Sequence, residues 1–301
     1  MKKPMNSARP GVTRLALTDS LPLTCSRDGV CCHGKVVCLN PWELACLAAA
    51  KGLTPADFRD QYCEFDGIRL RFDITADSAA VWKGLPECSL YVPDRGCSVY
   101  GSRPLVCRLY PFGRMRSGNK LHYIHQGRSF PCLVSCPAVL DLPYQTIAEY
   151  LVGQKVKAGE TAQDNYLEIM QQLADYAFML LLETGLASSG DQLTLRLWRK
   201  LGKNDPGQLA KYIGSEWINH LMLPNTGDLL NDPAAFACRH SEMLESQIQA
   251  LFSNLADFAA LCQASGLMMG LALHLARGLG ANPAELVEHW IMTAKELGAC
   301  E

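Results

Sequence analysis

The sequence predicts an α+β protein in which a small, irregular, cysteine-rich metal- or cluster-binding domain is followed by an all-helical domain. Two observations carry this. Eleven of the 14 cysteines lie between Cys25 and Cys136, in a loop-rich stretch with Gly and Pro near many of them. From about residue 142 the cysteines thin out and long amphipathic stretches take over. The expected organisation is a loose arm over 1–20, the cysteine-rich domain over 21–140 and the helical domain over 141–301.

In the first domain, Asn40-Pro41-Trp42-Glu43 opens a helix. Asn is a favourable N-cap, Pro suits the first helical position, and Gly52 marks the stop. Thr54-Pro55-Ala56-Asp57 opens a second, short helix with a capping-box pattern. Apolar and polar residues alternate over 67–74, which predicts a strand, and Lys120–His125 reads as another. In the second domain helices are expected over 142–157, 161–185, 191–202, 205–222, 232–264 and 281–298. Breaks are expected at Gly185, Gly190, Asn204-Asp205-Pro206, Pro224-Asn225, Asn231-Asp232-Pro233 and Asn282-Pro283.

Composition narrows the function classes. Apolar residues make up 49% and charged ones 19%, with a net charge of −2. That is a globular profile, and neither nucleic acid nor membrane is an expected partner. No apolar run reaches the roughly 18 residues that span a bilayer. The basic start, Met1-Lys2-Lys3, is not followed by an apolar h-region. The expectation is therefore a cytoplasmic, reducing location, where clustered cysteines read as metal ligands or redox groups rather than disulfides.

Eight of the 14 cysteines fall in three groups. The first is Cys25-Ser26-Arg27-Asp28-Gly29-Val30-Cys31-Cys32-His33. The second comprises Cys88, Cys97 and Cys107, and the third Cys132 and Cys136. Thiolates are the ligands of zinc and of iron–sulfur clusters, usually four per centre. Gly29 and Gly96 allow tight turns beside such ligands. Cys107 follows Ser102-Arg103-Pro104, which reads as a helix start, and a helix N-terminus lowers a thiol pKa. Residues 95–140 hold Arg95, Arg103, Arg108, Arg114, Arg116, Lys120 and Arg128 and no Asp or Glu. That local charge suits an anionic centre or an anionic cosubstrate, and equally a solvated surface. Arg103, Arg108, Tyr100 and Tyr110 are the candidates for offsetting charge and shielding the centre.

This pattern resembles the YkgJ-type cysteine-cluster family, described as zinc- or iron-chelating. Cys25, Gly29, Cys31 and Cys32 match its first motif. Cys97, Tyr100, Arg103, Pro104, Cys107, Arg108, Tyr110, Pro111 and Phe112 match its long second motif, with Cys88 just upstream, and Cys136-Pro137 matches the third. Asp28 stands where the family has the second cysteine of its first motif; it is itself a candidate ligand, with His33 and Cys38 as substitutes. The resemblance implies metal ligation by Cys25, Cys31, Cys32, Cys88, Cys97, Cys107 and Cys136. A more distant similarity, through Ser135-Cys136-Pro137, is to flagellin lysine methylases, whose chemistry links an iron–sulfur centre to S-adenosylmethionine.

Three functions follow as expectations. The first is a protein that holds a metal or an iron–sulfur cluster, 4Fe-4S or zinc, without its own turnover. The second is an iron–sulfur-dependent methyltransferase or oxidoreductase using S-adenosylmethionine or another anionic cosubstrate. The third is a structural zinc module whose function lies in the helical half. The helical half is the expected surface for a protein substrate or partner.

Overall fold

The structure is a computed structural model that describes residues 13–22, 29–75, 84–117, 120–125, 143–182, 192–255 and 257–299. It has the α+β character expected, with small antiparallel sheets and a large all-helical part. The chain forms two compact units that interleave in sequence. One comprises Met1–Val37 and Phe72–Lys157, the other Cys38–Arg71 and Ala158–Glu301.

The first unit is built on a three-stranded antiparallel sheet. Lys120–His125 lies between Thr13–Leu15 and Phe112–Ser117, and Tyr123 pairs with Leu15 on one side and Arg114 on the other. Leu15, Tyr123 and Phe112 lean on a core of Leu105, Leu109, Ile147, Tyr150, Leu151 and Val156. A second pairing joins Ser20–Pro22 to Tyr144–Thr146. Thr146 then caps the helix Ile147–Gly153, in a capping box with Glu149. The helix expected from 142 thus starts later: Thr146 is its cap, and Tyr144 and Gln145 before it are strand. The strand Phe112–Ser117 was not legible, because Gly113 and two arginines interrupt its apolar alternation.

The second unit opens with two of the expected helices. Asn40 and Glu43 form a buried capping box at Pro41–Lys51, and Gly52 ends it at φ +69°. That helix buries Leu44, Leu47 and Ala48 completely, and the Trp42 indole donates to the Leu230 carbonyl at 3.0 Å. Thr54 caps Pro55–Tyr62. The strand expected over 67–74 is two pieces. Arg69–Leu70 pairs with Cys63–Glu64 in this unit, whereas Phe72–Asp73 pairs with Glu87–Cys88 in the other. Alternation satisfied both pairings, and so concealed the change of partner at Arg71.

The remaining helices are Lys157–Leu182, Leu193–Lys203, Pro206–Ile213, Ser215–Met222, Pro233–Phe252, Phe258–Gly278 and Pro283–Glu296. Two expected stretches divide. Residues 205–222 break at Gly214, whose φ of +89° a helix does not accept. Residues 232–264 break after Phe252, and Asp257 caps the next helix. That next helix, Phe258–Gly278, is apolar on every side and buried along most of its length, and packs against Leu193–Lys203, Pro206–Ile213 and Pro283–Glu296. By length and composition alone it is also long enough to cross a membrane; a helix buried all round within a core has the same composition.

Two histidines of this unit are fully buried. His240 accepts from the Tyr166 hydroxyl at 3.0 Å on Nδ1 and donates from Nε2 to the His220 carbonyl at 2.9 Å. Burial holds its pKa down at about 4. His274 meets no hydrogen-bond partner among the described residues on either ring nitrogen. Burial, helped by the Arg277 charge, holds its pKa at about 3. Both rings are neutral in the folded state and gain a proton more readily when unfolded. The unfolded chain therefore binds more protons below its histidine pKa of ~6.5, and stability falls with pH from there down to about 4 and 3. Each ring should withdraw about 2 kcal/mol between pH 7 and pH 4.5. Urea unfolding of His274→Leu should show a protein about 1 kcal/mol more stable at pH 7, because an unpartnered buried polar group is gone. Its loss of stability at pH 4.5 should be smaller than the wild type's by about 2 kcal/mol. An unchanged pH dependence would remove His274 from this account.

Candidate metal centre

Three segments of the first unit present its cysteines. Gly29, at φ +76°, turns the chain into a short 3₁₀ turn, Val30–Cys32, closed by Cys32 N–H donating to the Gly29 carbonyl at 2.8 Å. The strand Glu87–Cys88 pairs with Phe72–Asp73 and runs through Ser89-Leu90 into a hairpin, in which Tyr91 faces Cys97 and Val92 faces Gly96. Asp94 and Gly96, both at positive φ, make that hairpin's turn. The chain then passes through the 3₁₀ turn Tyr100–Ser102 to the five-residue helix Leu105–Leu109, which carries Cys107.

The five thiols gather. Cys32 is hydrogen-bonded to Cys31 and also feels the charges of Cys88 and Cys97. Cys107 feels Cys88, Cys31 and Cys97. The Cys31 contact, then burial, then repulsion from the other thiols push Cys32 far above the ordinary thiol range. Burial first, then the same neighbours, raise Cys107, with the Arg103 charge opposing them. Burial raises Cys88 to about 12, although the Leu90 backbone N–H, bonded to its sulfur, favours the thiolate. The sequence expectation for Cys107 is therefore corrected: the helix start does not win, because burial and neighbouring thiols outweigh it.

Among the described residues no three Cys, His, Asp or Glu groups stand at the spacing that holds one ion as they are. No disulfide joins any of the described cysteines to another. The donor set fits a soft or borderline cation by its chemistry, being thiols held in one small unit. Cys25, Asp28, Cys132 and Cys136 lie outside the described residues. Cys38, Cys46 and Cys63 lie in the other unit.

His33 is buried, with Nδ1 2.9 Å from the Gly29 carbonyl and Nε2 3.3 Å from the Glu87 carboxylate. Each ring nitrogen thus lies beside an oxygen. The four shielding candidates are placed as follows. Arg103 donates to the Tyr100 carbonyl and the Gln154 side chain, and lies 3.7 Å over the Tyr100 ring. Arg108 donates to the carbonyls of Arg103, Gln154 and Gly101. Lys35 lies 3.5 Å over the Tyr110 ring. These arginines fix the backbone around the second cysteine motif, and Arg103 also brings positive charge to Cys107. Tyr91, which sequence reasoning missed, stands edge-on to His33 and over Gly29. No sequence motif signals it.

Residues 24–127 match the family model CxxCxxCC, "Putative zinc- or iron-chelating domain", the same cysteine-cluster family that the motifs resemble. The match covers about a third of the chain and ends before Cys132 and Cys136. Neither the comparison with curated proteins nor that with solved structures returns a match.

The turn at Gly29 yields a direct test. A β-carbon there would meet both the positive φ and the Tyr91 ring, whereas one at Gly101 meets nothing within 4 Å. Thermal unfolding should show Gly29→Ala destabilised by about 2 kcal/mol or more. Gly101→Ala should stay within about 0.5 kcal/mol of wild type. Equal melting of the two variants would mean that Tyr91 does not lock the turn.

Proposed function

We propose that the zinc- or iron-chelating domain at residues 24–127 holds a metal centre on cysteine thiolates, and that this centre is an iron–sulfur cluster. The observation that carries the reading is the gathering of five thiols from three segments, in which Cys31, Cys88 and Cys97 act electrostatically on both Cys32 and Cys107. Partly buried thiols that repel one another ionise together far more readily beside a cation, and a bound metal supplies it.

Iron–sulfur chemistry is favoured over a structural zinc site by the contacts made to the thiols. Five described thiols, with Cys25 and Cys136 as further candidates, are enough for one four-thiolate centre. Glu87 and His33 are engaged with each other. The Leu90 N–H at the Cys88 sulfur and the Arg103 charge at Cys107 are the kinds of contact that set a cluster's potential. When bound, such a centre supplies electron transfer. The protein's own residues supply the thiolates, their burial and the compensating charge. No group among the described residues favours an S-adenosylmethionine site.

Protein purified without oxygen should be brown, with iron and acid-labile sulfide in matching amounts. Cys97→Ser and Cys107→Ser should each strip most of the iron, while Cys238→Ser, on an exposed helical position, should keep it. Zinc without sulfide would replace the cluster by a zinc centre at the same cysteines. Protein that holds no metal under any of these conditions would sink the proposal.

A further inference from the structure

We infer that His33 is a positioning residue for this centre: its ring fastens the turn that carries Cys31 and Cys32 to the strand that carries Cys88. The inference rests on the metal-binding reading above and adds how two of the cysteine segments are held at a set distance. His33 is 2% exposed. One ring nitrogen reaches back four residues to the Gly29 carbonyl, the oxygen that also closes the Cys32 turn. The other reaches Glu87, 54 residues further along the chain and directly before Cys88. With its two ring nitrogens 2.9 Å and 3.3 Å from these oxygens, the ring spans the two segments without using a thiol.

The backbone is paired at the same place. His33 and Glu87 form an isolated antiparallel bridge, and Gly34 N–H donates to the Pro86 carbonyl at 2.8 Å. Backbone pairing sets the neighbourhood of the two segments. It does not set the pitch of the Gly29–Cys32 turn relative to the strand, and the ring does. Tyr91 closes the third side, with its ring centre 4.9 Å from that of His33. Since both nitrogens face oxygens, His33 acts on a metal only through Cys31 and Cys32. Partners of this kind, one step removed from the metal, typically change its affinity by about 10–100-fold.

The test uses the reduced, metal-free full-length chain titrated with cobalt(II), whose absorption reports thiolate ligation. Wild type should show a thiolate-to-cobalt band. His33→Ala should bind about 10–100-fold more weakly, with a shifted visible spectrum and an unchanged far-ultraviolet circular dichroism spectrum. His33→Asn, which keeps a donor for the Gly29 carbonyl, should recover part of the affinity, and Glu87→Ala should lose part of it. If His33→Ala matches wild type in affinity and spectrum while Cys32→Ser loses the band, the positioning role is overturned and the metal reading stands. Should His33→Ala fail to fold, a folded Glu87→Ala of wild-type affinity overturns the role in its place. No thiolate band in wild type overturns both.

Discussion

Crowding of partly buried thiols is the constraint on which the cysteine-rich unit depends. Cys31, Cys88 and Cys97 make ionisation of Cys32 and Cys107 harder, and burial adds to the difficulty. An arrangement of this kind is unfavourable for anionic sulfur and favourable for sulfur that shares a cation. The hydrophobic core of the unit is modest, centred on Leu105, Leu109, Phe112, Ile147, Tyr150, Leu151 and Val156. Polar ties do much of the remaining holding: the Gly29 turn, the Tyr91–Cys97 hairpin and the two arginines that pin carbonyls around residues 100–103.

Those arginines illustrate how a basic segment resolves once side chains have partners. Counted along the sequence, residues 95–140 look like a field awaiting an anion. In the fold, Arg103 and Arg108 spend their donors on backbone carbonyls and on Gln154. What is left for the centre is local charge, felt at Cys107. Arginine suits both tasks, because its planar fork can satisfy several carbonyls without giving up its charge.

Much of this was legible beforehand, and the parts that were not have physical reasons. The helices opened by Asn40-Pro41 and Thr54-Pro55 were readable because cap chemistry is local. The roles of Gly29 and Gly96 were readable because a positive φ favours glycine. The cysteine motifs located the candidate site, and the family match agrees over 24–127. The break at Gly214 was hidden inside an amphipathic stretch that reads as one helix. The His33–Glu87 contact spans 54 residues and has no sequence signature. The rise of the Cys107 pKa was missed because a helix start is a local signal, whereas burial by other segments is not.

The interleaving of the two units also bears on how the protein can be dissected. The chain leaves the cysteine-rich unit after Val37, contributes Cys38–Arg71 to the helical unit, and returns at Phe72. A gene fragment cut anywhere near residue 140 would keep the helix Pro41–Lys51 while discarding the helices that bury Leu44, Leu47 and Ala48. Such a fragment would expose a sticky apolar stripe, and its insolubility would say nothing about the cysteines. A sound minimal piece would instead splice Val37 to Phe72 through a short flexible link, since the strands on either side of that junction belong to one unit.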